Sequence, residues 1–423
     1  MRVELGFGAG TQSVEIPEEH LLGILEPNPV PRGLTGGAEI ARAMARPIGS
    51  KRLRDLVKSG EKIAIVTSDI TRPMPTALAL PYVLDELYAG GVQGRDITLV
   101  FALGSHRRHT PQEQRRLAGE RAWAEINIVD GDAADCVSLG VTRRGTPVDI
   151  VRVVAEADVR IALGNIEYHY FAGYSGGDKA IMPGVSTRAA IQANHRLMVL
   201  PQAAAGRLAG NPLREDIEEA AALCPLTFIL NVVLDEHKQV LRAVAGDHLA
   251  AHRAGCAFLD TLYRKELPAR ADIVLVSQGG APKDLNLYQV QKALDNAKHA
   301  VKPGGVVILV GACNEGLGEA TFERWMTTLP SPAAMVERIG QDFQLGGHKA
   351  AAIAMVLENA DIYLVSQMDP DFVRRIFLTP FATVQEALDA AAQKCGPEAG
   401  ILVMPYGGST LPVITGTATK DSI

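Results

Sequence analysis

Four stretches of the chain collect residue types able to carry acid/base, nucleophilic or anion-binding chemistry. The first holds Asp69, Thr71 and Arg72 in SDITRPMP (68 to 75). The second holds His106 and His109 in GSHRRHT (104 to 110). The third, EYHYFAGYSGGDKAIMPGV (167 to 185), holds His169 and Lys179 and is followed by Asn194-His195. The fourth, LYQVQKAL (287 to 294), holds Tyr288, Gln289 and Lys292. Arg72, Lys179 and Lys292 are cations suited to a carboxylate or phosphate. His106 and His169 are the side-chain type that titrates unperturbed near neutrality. Two histidines facing each other across a small ligand can remove hydrogen on one face of a carbon centre and return it on the other.

Each piece also has a plainer reading. His106 and His109, three apart, share a helical face as metal ligands or simply cap a turn. Asp69 and Arg72 make a helix-capping acid and a surface ion pair. The glycines before Lys179 suit any turn that needs positive φ. That loop lacks Walker A spacing, and Gly6, Gly8 and Gly10 miss the dinucleotide fingerprint because Thr11 follows without a helical pattern.

The elements that must position these residues are legible as periodicity. β-branched runs at 62 to 68, 96 to 103, 158 to 166, 272 to 277, 304 to 313, 361 to 366 and 400 to 405 read as buried strands alternating with helices. One helix starts at Asn211, with Pro212 next and acids in its first turn. The pattern predicts an α/β protein of two domains, each with a mixed or parallel-rich sheet flanked by helices and with the active site in the cleft between them. The chemistry-bearing residues follow strand carboxyl ends, where open α/β sheets bind ligands. Residues 1 to 16 read as a hairpin, and 227 to 244 as two strands around Asp235, Glu236 and His237. RKELPARAD (264 to 272) places the boundary so that 1 to 266 form the cofactor-binding and catalytic domain and 267 to 423 the second, whose last residues are able to return to the first.

Composition narrows the function classes. At 423 residues two cores are expected. A net charge of -6 and 5% aromatics offer no basic field for nucleic acid. No apolar run reaches a membrane span, and the N-terminus carries no signal-peptide pattern, so a cytoplasmic address is expected. Five scattered cysteines without a C-x-x-C pair argue against a disulfide frame or a thiolate zinc site.

Taken together and in order, the four motifs and Asn194-His195 resemble those of the nickel-dependent lactate racemase family. The likeness extends to ARPIGSKRL (45 to 53) and GGHKAAAIA (346 to 354), and so to essentially the whole chain. The resemblance implies a pyridinium mononucleotide whose two thiocarboxyl groups hold Ni(II) as a pincer, built by dedicated assembly enzymes. It implies attachment of that nucleotide as a thioamide at Lys179, and His195 as the protein ligand of nickel. It further implies that His106 and His169 are the acid/base pair, that hydride leaves C2 of a 2-hydroxy acid, and that a 2-keto acid is the intermediate. Arg72, Tyr288, Gln289 and Lys292 then hold substrate, and Asp69 is a polar neighbour on the cofactor side. Planar nickel with sulfur and imidazole ligands is chemically sensible, and only an amine, not a guanidinium, can be acylated.

Lactate and malate-like acids both stay open, since the resemblance extends to relatives acting on other 2-hydroxy acids, and Lys283, Arg107 and His348 are either further cations for a second carboxylate or solvated surface charges. The contrasting reading is a non-catalytic protein that binds a small carboxylate or a metal between two domains. A nicotinamide-dependent oxidoreductase is disfavoured by the missing fingerprint. The oligomeric state is left undetermined.

Overall fold

The computed structural model describes residues 1–30, 33–104, 106–235 and 237–415. Ser105 and Glu236, which fall in segments discussed above, lie outside the described residues. The chain forms two compact units: Val30–Thr261, and Met1–Pro29 together with the chain from Leu262 onward.

The chain opens with an antiparallel hairpin of β1 (Arg2–Phe7) and β2 (Gly10–Glu15), followed by a short β3 (Leu21–Ile24). Alternation along β1 puts Val3 and Leu5 on one buried face, where they join Val14 and Ile16.

The Val30–Thr261 unit then supplies β4 (Ile63–Ser68), β5 (Ile97–Ala102) and β6 (Asn127–Asp130). A hairpin follows, β7 (Cys136–Val141) with β8 (Pro147–Val151). Next come β9 (Val159–Asn165), the miniature hairpin β10 (Tyr168–His169) with β11 (Gly173–Tyr174), then β12 (Phe228–Leu234) and β13 (Val240–Gly246). Its main sheet has the order β13-β12-β9-β4-β5-β6. All neighbours are parallel except β12 and β13. The antiparallel pair makes the sheet mixed, as the 227 to 244 pattern suggests. β4 and β9 are buried almost without interruption because helices cover both faces. From β4 the chain steps outward to β5 and β6, then re-enters at β9 on the other side. The strand order therefore reverses between β4 and β9.

The other unit continues with β14 (Arg264–Leu267), β15 (Ala271–Ser277), β16 (Val301–Val310), β17 (Asp361–Val365), β18 (Thr379–Phe381), β19 (Ile401–Met404) and β20 (Leu411–Ile414). Its sheet is wholly parallel in the order β18-β17-β16-β15-β19-β3, with the reversal between β15 and β19.

The α/β class with two flanked, parallel-rich sheets is as expected. The division at 266 and 267 needs correcting at the N-terminus. Residues Met1–Pro29 belong with the C-terminal half, because β3 completes the free edge of β19 and the hairpin's apolar face fills the core over β15 and β16. A return of the C-terminus to the first domain is not seen through residue 415, since β20 pairs with β14 of its own unit. All five cysteines are free, in keeping with their scatter.

Leu5 is fully buried. Leu5→Ala should cost about 2–5 kcal/mol and accelerate hydrogen exchange in β15, β16 and β19 more than in β4, β5 and β9. Equal acceleration in both sets would contradict the assignment of the hairpin.

Candidate active site

In the Val30–Thr261 unit, the carboxyl ends of β4, β5 and β9 meet where the strand order reverses, the usual binding edge of an open α/β sheet. β4 runs into Asp69, which is buried, and β5 into His106, which is about one-third exposed. Asp69 Oδ2 lies 2.8 Å from His106 Nδ1, and Thr71 Oγ1 donates to Asp69 Oδ1 at 2.8 Å. Burial pushes the Asp69 carboxyl up, but hydrogen bonds from His106 and Thr71 and the charges of His106 and Arg72 hold it below the ordinary range. An ionised Asp69 must accept from Nδ1–H, so the neutral His106 ring carries its lone pair on Nε2.

His109 has a different part. Its ring is fully buried, Nδ1 donates to Asp130 Oδ1 at 2.7 Å, and Nε2 accepts from the Ile70 N–H at 3.1 Å. Both nitrogens are thereby used to pin the backbone next to Asp69. Of the two readings of His106 and His109, metal pair or turn clamp, the second holds for His109. Among the described residues no group of three or more His, Cys, Asp or Glu side chains is arranged to hold a metal.

β9 leads into Arg72's ion-pair partner Glu167, 4.0 Å away, and then into β10 and β11. His169 Nδ1 accepts from the Ala172 N–H at 3.3 Å, which places the proton of the neutral ring on Nε2. The His169 ring packs edge-on against Phe171 (4.4 Å), and Phe171 packs edge-on against His195 (4.9 Å). Two histidines far apart in sequence thus flank one aromatic ring.

The loop bearing Lys179 turns on Gly176 and Gly177, with φ of 77° and 57°. A Cβ on Gly177 would sit 2.9 Å from the His252 ring. Asn231 on β12 accepts the Gly177 N–H at 2.8 Å. One side of the helix His248–Tyr263, at spacings of four and eight residues, clamps the rest. His248 Nδ1 meets Asp178 Oδ1 at 2.6 Å, and its pKa is raised by that hydrogen bond. His252 Nε2 meets the Ser175 carbonyl at 2.8 Å while Arg214 Nη2 approaches its Nδ1 at 3.0 Å. Asp260 accepts from both the Tyr168 and Tyr174 hydroxyls at 2.8 Å. Burial, then Arg214, drives the His252 pKa well down, so it is neutral. Lys179 keeps a partly exposed surface, yet burial of its amine, with Arg72 and Arg214 nearby, lowers its pKa far below that of a free lysine.

His195 ends the helix Arg188–His195, with Nδ1 3.0 Å from Asn194 Oδ1. Asn194 Nδ2 donates to Asp216 Oδ2 at 2.8 Å and to the Leu213 carbonyl at 3.2 Å. Asp216 and Leu213 lie on the helix Pro212–Leu223, whose predicted Asn211 cap is realised through bonds from Leu213 N and Arg214 N. Asn211 also donates to the Phe171 carbonyl at 2.9 Å.

In the other unit, Tyr288, Gln289 and Lys292 sit together on the helix Leu287–Ala297, which starts at the Asn286 cap. Lys292 Nζ donates to Gln289 Oε1 at 2.8 Å. Lys349 lies 4.0 Å over the Tyr288 ring and bonds the Tyr288 carbonyl. Gln278, at the carboxyl end of β15, donates to the Gln289 carbonyl at 3.4 Å, tying this helix to the strand-order reversal. Two of the three extra cations considered for a second carboxylate are otherwise engaged. Arg107 is held by both oxygens of Glu113 at 2.8 Å. His348 is neutral, since burial and Lys349 push its pKa down to about 3.

Residues 7–206 match the "Lactate racemase N-terminal domain" and residues 267–412 the "Lactate racemase C-terminal domain". Lactate racemase of Thermoanaerobacterium thermosaccharolyticum is 34% identical over 421 residues, spanning 97% of this chain and 98% of the relative. That of Lactiplantibacillus plantarum is 32% identical over 418 residues, spanning 96% and 98%. The chain belongs to the lactate racemase family. The solved lactate racemase apoprotein from T. thermosaccharolyticum superposes with a TM-score of 0.87 at 33% identity, covering 98% of this chain and all of that one. A Thermotoga maritima protein, 18% identical with a TM-score of 0.62, shares the fold. As a lactate racemase family member the protein is an isomerase.

The residues fit the nucleotide that the family resemblance implies. The lowered pKa of Lys179 favours the uncharged amine, which is the form that can be acylated. Around its loop, Asp178 Oδ2, Asn231 Nδ2 and Arg214 Nη1 are buried without a hydrogen-bond partner among the described residues, polar capacity that an adjacent polar group would use. Motif reading missed Arg214, Asp216, Asn231, His248, His252 and Asp260. For the last three a signal was available, spacings of four and eight residues that put them on one side of the helix.

Folding displaces a proton from Lys179 across the interval between its lowered native pKa and its unfolded value. Wild-type apoprotein therefore loses stability as pH falls through that interval, the unfolded state binding more protons. Lys179→Met removes this loss. Its stability relative to wild type should rise from pH 9 to pH 7 in urea unfolding, and a constant difference would mean that the native lysine is charged.

Proposed function

We propose that this isomerase racemises lactate, or a closely related monocarboxylic 2-hydroxy acid, using a nickel-pincer nucleotide attached at Lys179. The observation that carries the reading is the opposite preparation of two histidines at one sheet edge. His106 is aligned by Asp69 with a lone pair on Nε2, and His169 is aligned by Ala172 with hydrogen on Nε2. His106 is set to take the hydroxyl proton of one substrate enantiomer, and His169 to hydrogen-bond the oxygen of the 2-keto acid through Nε2–H; the histidine that returns a proton enters that step as imidazolium, and the roles exchange in the reverse direction.

When bound, the nucleotide supplies a reversible hydride sink for C2. Lys179 would hold it through its acylated amine, and His195 would ligate nickel. Arg72, half exposed beside Glu167, is suited to the substrate carboxylate through its planar fork. Tyr288, Gln289 and Lys292 are assigned to substrate on the family resemblance, and their mutual bonding makes them a single polar cluster. Asp69 acts by orienting His106. A monocarboxylic substrate is favoured over malate in that Arg107 is paired and His348 neutral, which leaves Lys283 of those three cations for a second carboxylate. The cofactor-assembly enzymes are the partners this reading requires.

The test is chain co-produced with those enzymes, assayed on L- and D-lactate by chiral chromatography. Wild type should interconvert the enantiomers and carry a mass adduct at Lys179 with bound nickel. Lys179→Ala should lose both. His106→Ala or His169→Ala should keep the adduct while kcat falls about 10²–10⁴-fold. An active, nickel-bearing K179A protein would refute the reading. Loss of nickel from the histidine variants would instead move those residues to the metal.

A further inference from the structure

The short relay behind His195 is built from buried groups only. Asp216, Asn194 and Thr146 are fully buried and Thr142 nearly so. Asp216 Oδ1 accepts from Thr142 Oγ1 at 2.5 Å, and Oδ2 accepts from Thr146 Oγ1 at 2.6 Å and from Asn194 Nδ2 at 2.8 Å. The second hydrogen of the Asn194 amide goes to the Leu213 carbonyl at 3.2 Å. Reversing that amide would aim its oxygen at a carboxylate and a carbonyl, two acceptors without a proton between them. Its Nδ2 is therefore the end facing Asp216, and Oδ1 faces His195 Nδ1 at 3.0 Å. An oxygen there accepts only from an N–H.

We propose that Asn194 and Asp216 are positioning residues that lock His195 in the Nδ1–H tautomer, so that Nε2 bears the lone pair and the ring is preset to ligate a metal. A free histidine ring favours the opposite tautomer, with hydrogen on Nε2, and would have to exchange it before binding. Orientation of a ligating imidazole through its other nitrogen raises metal affinity, and loss of such a partner typically lowers it 10–100-fold. The two threonines keep Asp216 supplied with donors and so hold it in place for the Asn194 amide. The inference rests on the assignment of His195 as nickel ligand for its purpose, but its geometric content is independent of nickel.

The experiment has two arms. In full-length apoprotein labelled with ¹⁵N-histidine, long-range proton–nitrogen correlation spectra read the His195 tautomer, the signals being assigned by their loss in His195→Gln. Wild type should show hydrogen on Nδ1, and Asn194→Leu should shift the ring towards hydrogen on Nε2. In protein loaded with the nucleotide, nickel retention during dialysis against a chelator should fall roughly 10–100-fold in Asn194→Leu, with the Lys179 adduct mass unchanged. Hydrogen on Nε2 in wild type would overturn the proposal, as would an unchanged tautomer in a folded N194L protein. The wild-type spectrum decides even if the variant does not fold. Absence of adduct and nickel from wild type would defeat the proposed function instead, leaving the tautomer result to stand.

Discussion

The stretch from Ile166 to Thr187 must leave a sheet, place a histidine and a lysine, and rejoin a helix while largely buried and with little regular structure of its own. Backbone polar groups in such a segment need partners other than a ladder or helix. Many are supplied by turns within the segment, as where the Ser175 N–H donates to the Glu167 carbonyl, the Ile181 N–H to that of Asp178 and the Gly184 N–H to that of Lys179. The segment is then fixed by side chains from two directions. Asn231 on β12 takes the Gly177 N–H, and Ser175 exchanges bonds with Asn165 and Glu167 at the end of β9. From the other side, His248, His252 and Asp260 reach Asp178, Ser175 and the two tyrosines of the β10–β11 hairpin. Without those three contacts there is no evident reason for His169 and Lys179 to hold their positions, and the helix His248–Tyr263 is as much a part of the site as the loop.

The electrostatics follow from that packing. Arg214 is fully buried, touching neutral His252 through one nitrogen and Glu218 through another at 3.1 Å. With Arg72 it keeps positive charge near the Lys179 amine, which burial already disfavours as an ammonium. The same neighbourhood holds ionised Asp69 against His106. One edge of one sheet thus contains an aligned carboxylate–imidazole pair and an amine whose pKa is driven down, so that the carboxyl is held towards its charged form and the amine towards its neutral one. Pairs of that kind are typical of functional sites.

Much of this was readable in the chain. The strands, the Asn211 cap, the mixed sheet and the placement of polar residues after strand ends all came from local pattern, which depends on periods of 2 and 3.6 and on capping chemistry. Two readings did not survive. His109 had the spacing of a metal partner for His106, but Asp130 and the Ile70 amide occupy both its nitrogens. Residues Met1–Pro29, adjacent in sequence to the first unit, join the other, because edge pairing of β3 with β19 and core packing of the β1–β2 hairpin are long-range choices that local pattern does not encode.

The sequence by itself determined the α/β class, the motif residues and, through their order, the family, since these depend on residue type and short-range spacing. Tertiary structure alone decided which nitrogen of His106 and of His169 bears hydrogen, that the Lys179 amine is driven towards its uncharged form and His348 is neutral, and that Arg107 is already paired. Protonation and hydrogen-bond polarity are set by burial and by partners brought from distant segments. Asp69 reaches His106 from the next strand and Asp216 reaches Asn194 from the next helix, and only folding brings them within hydrogen-bonding distance.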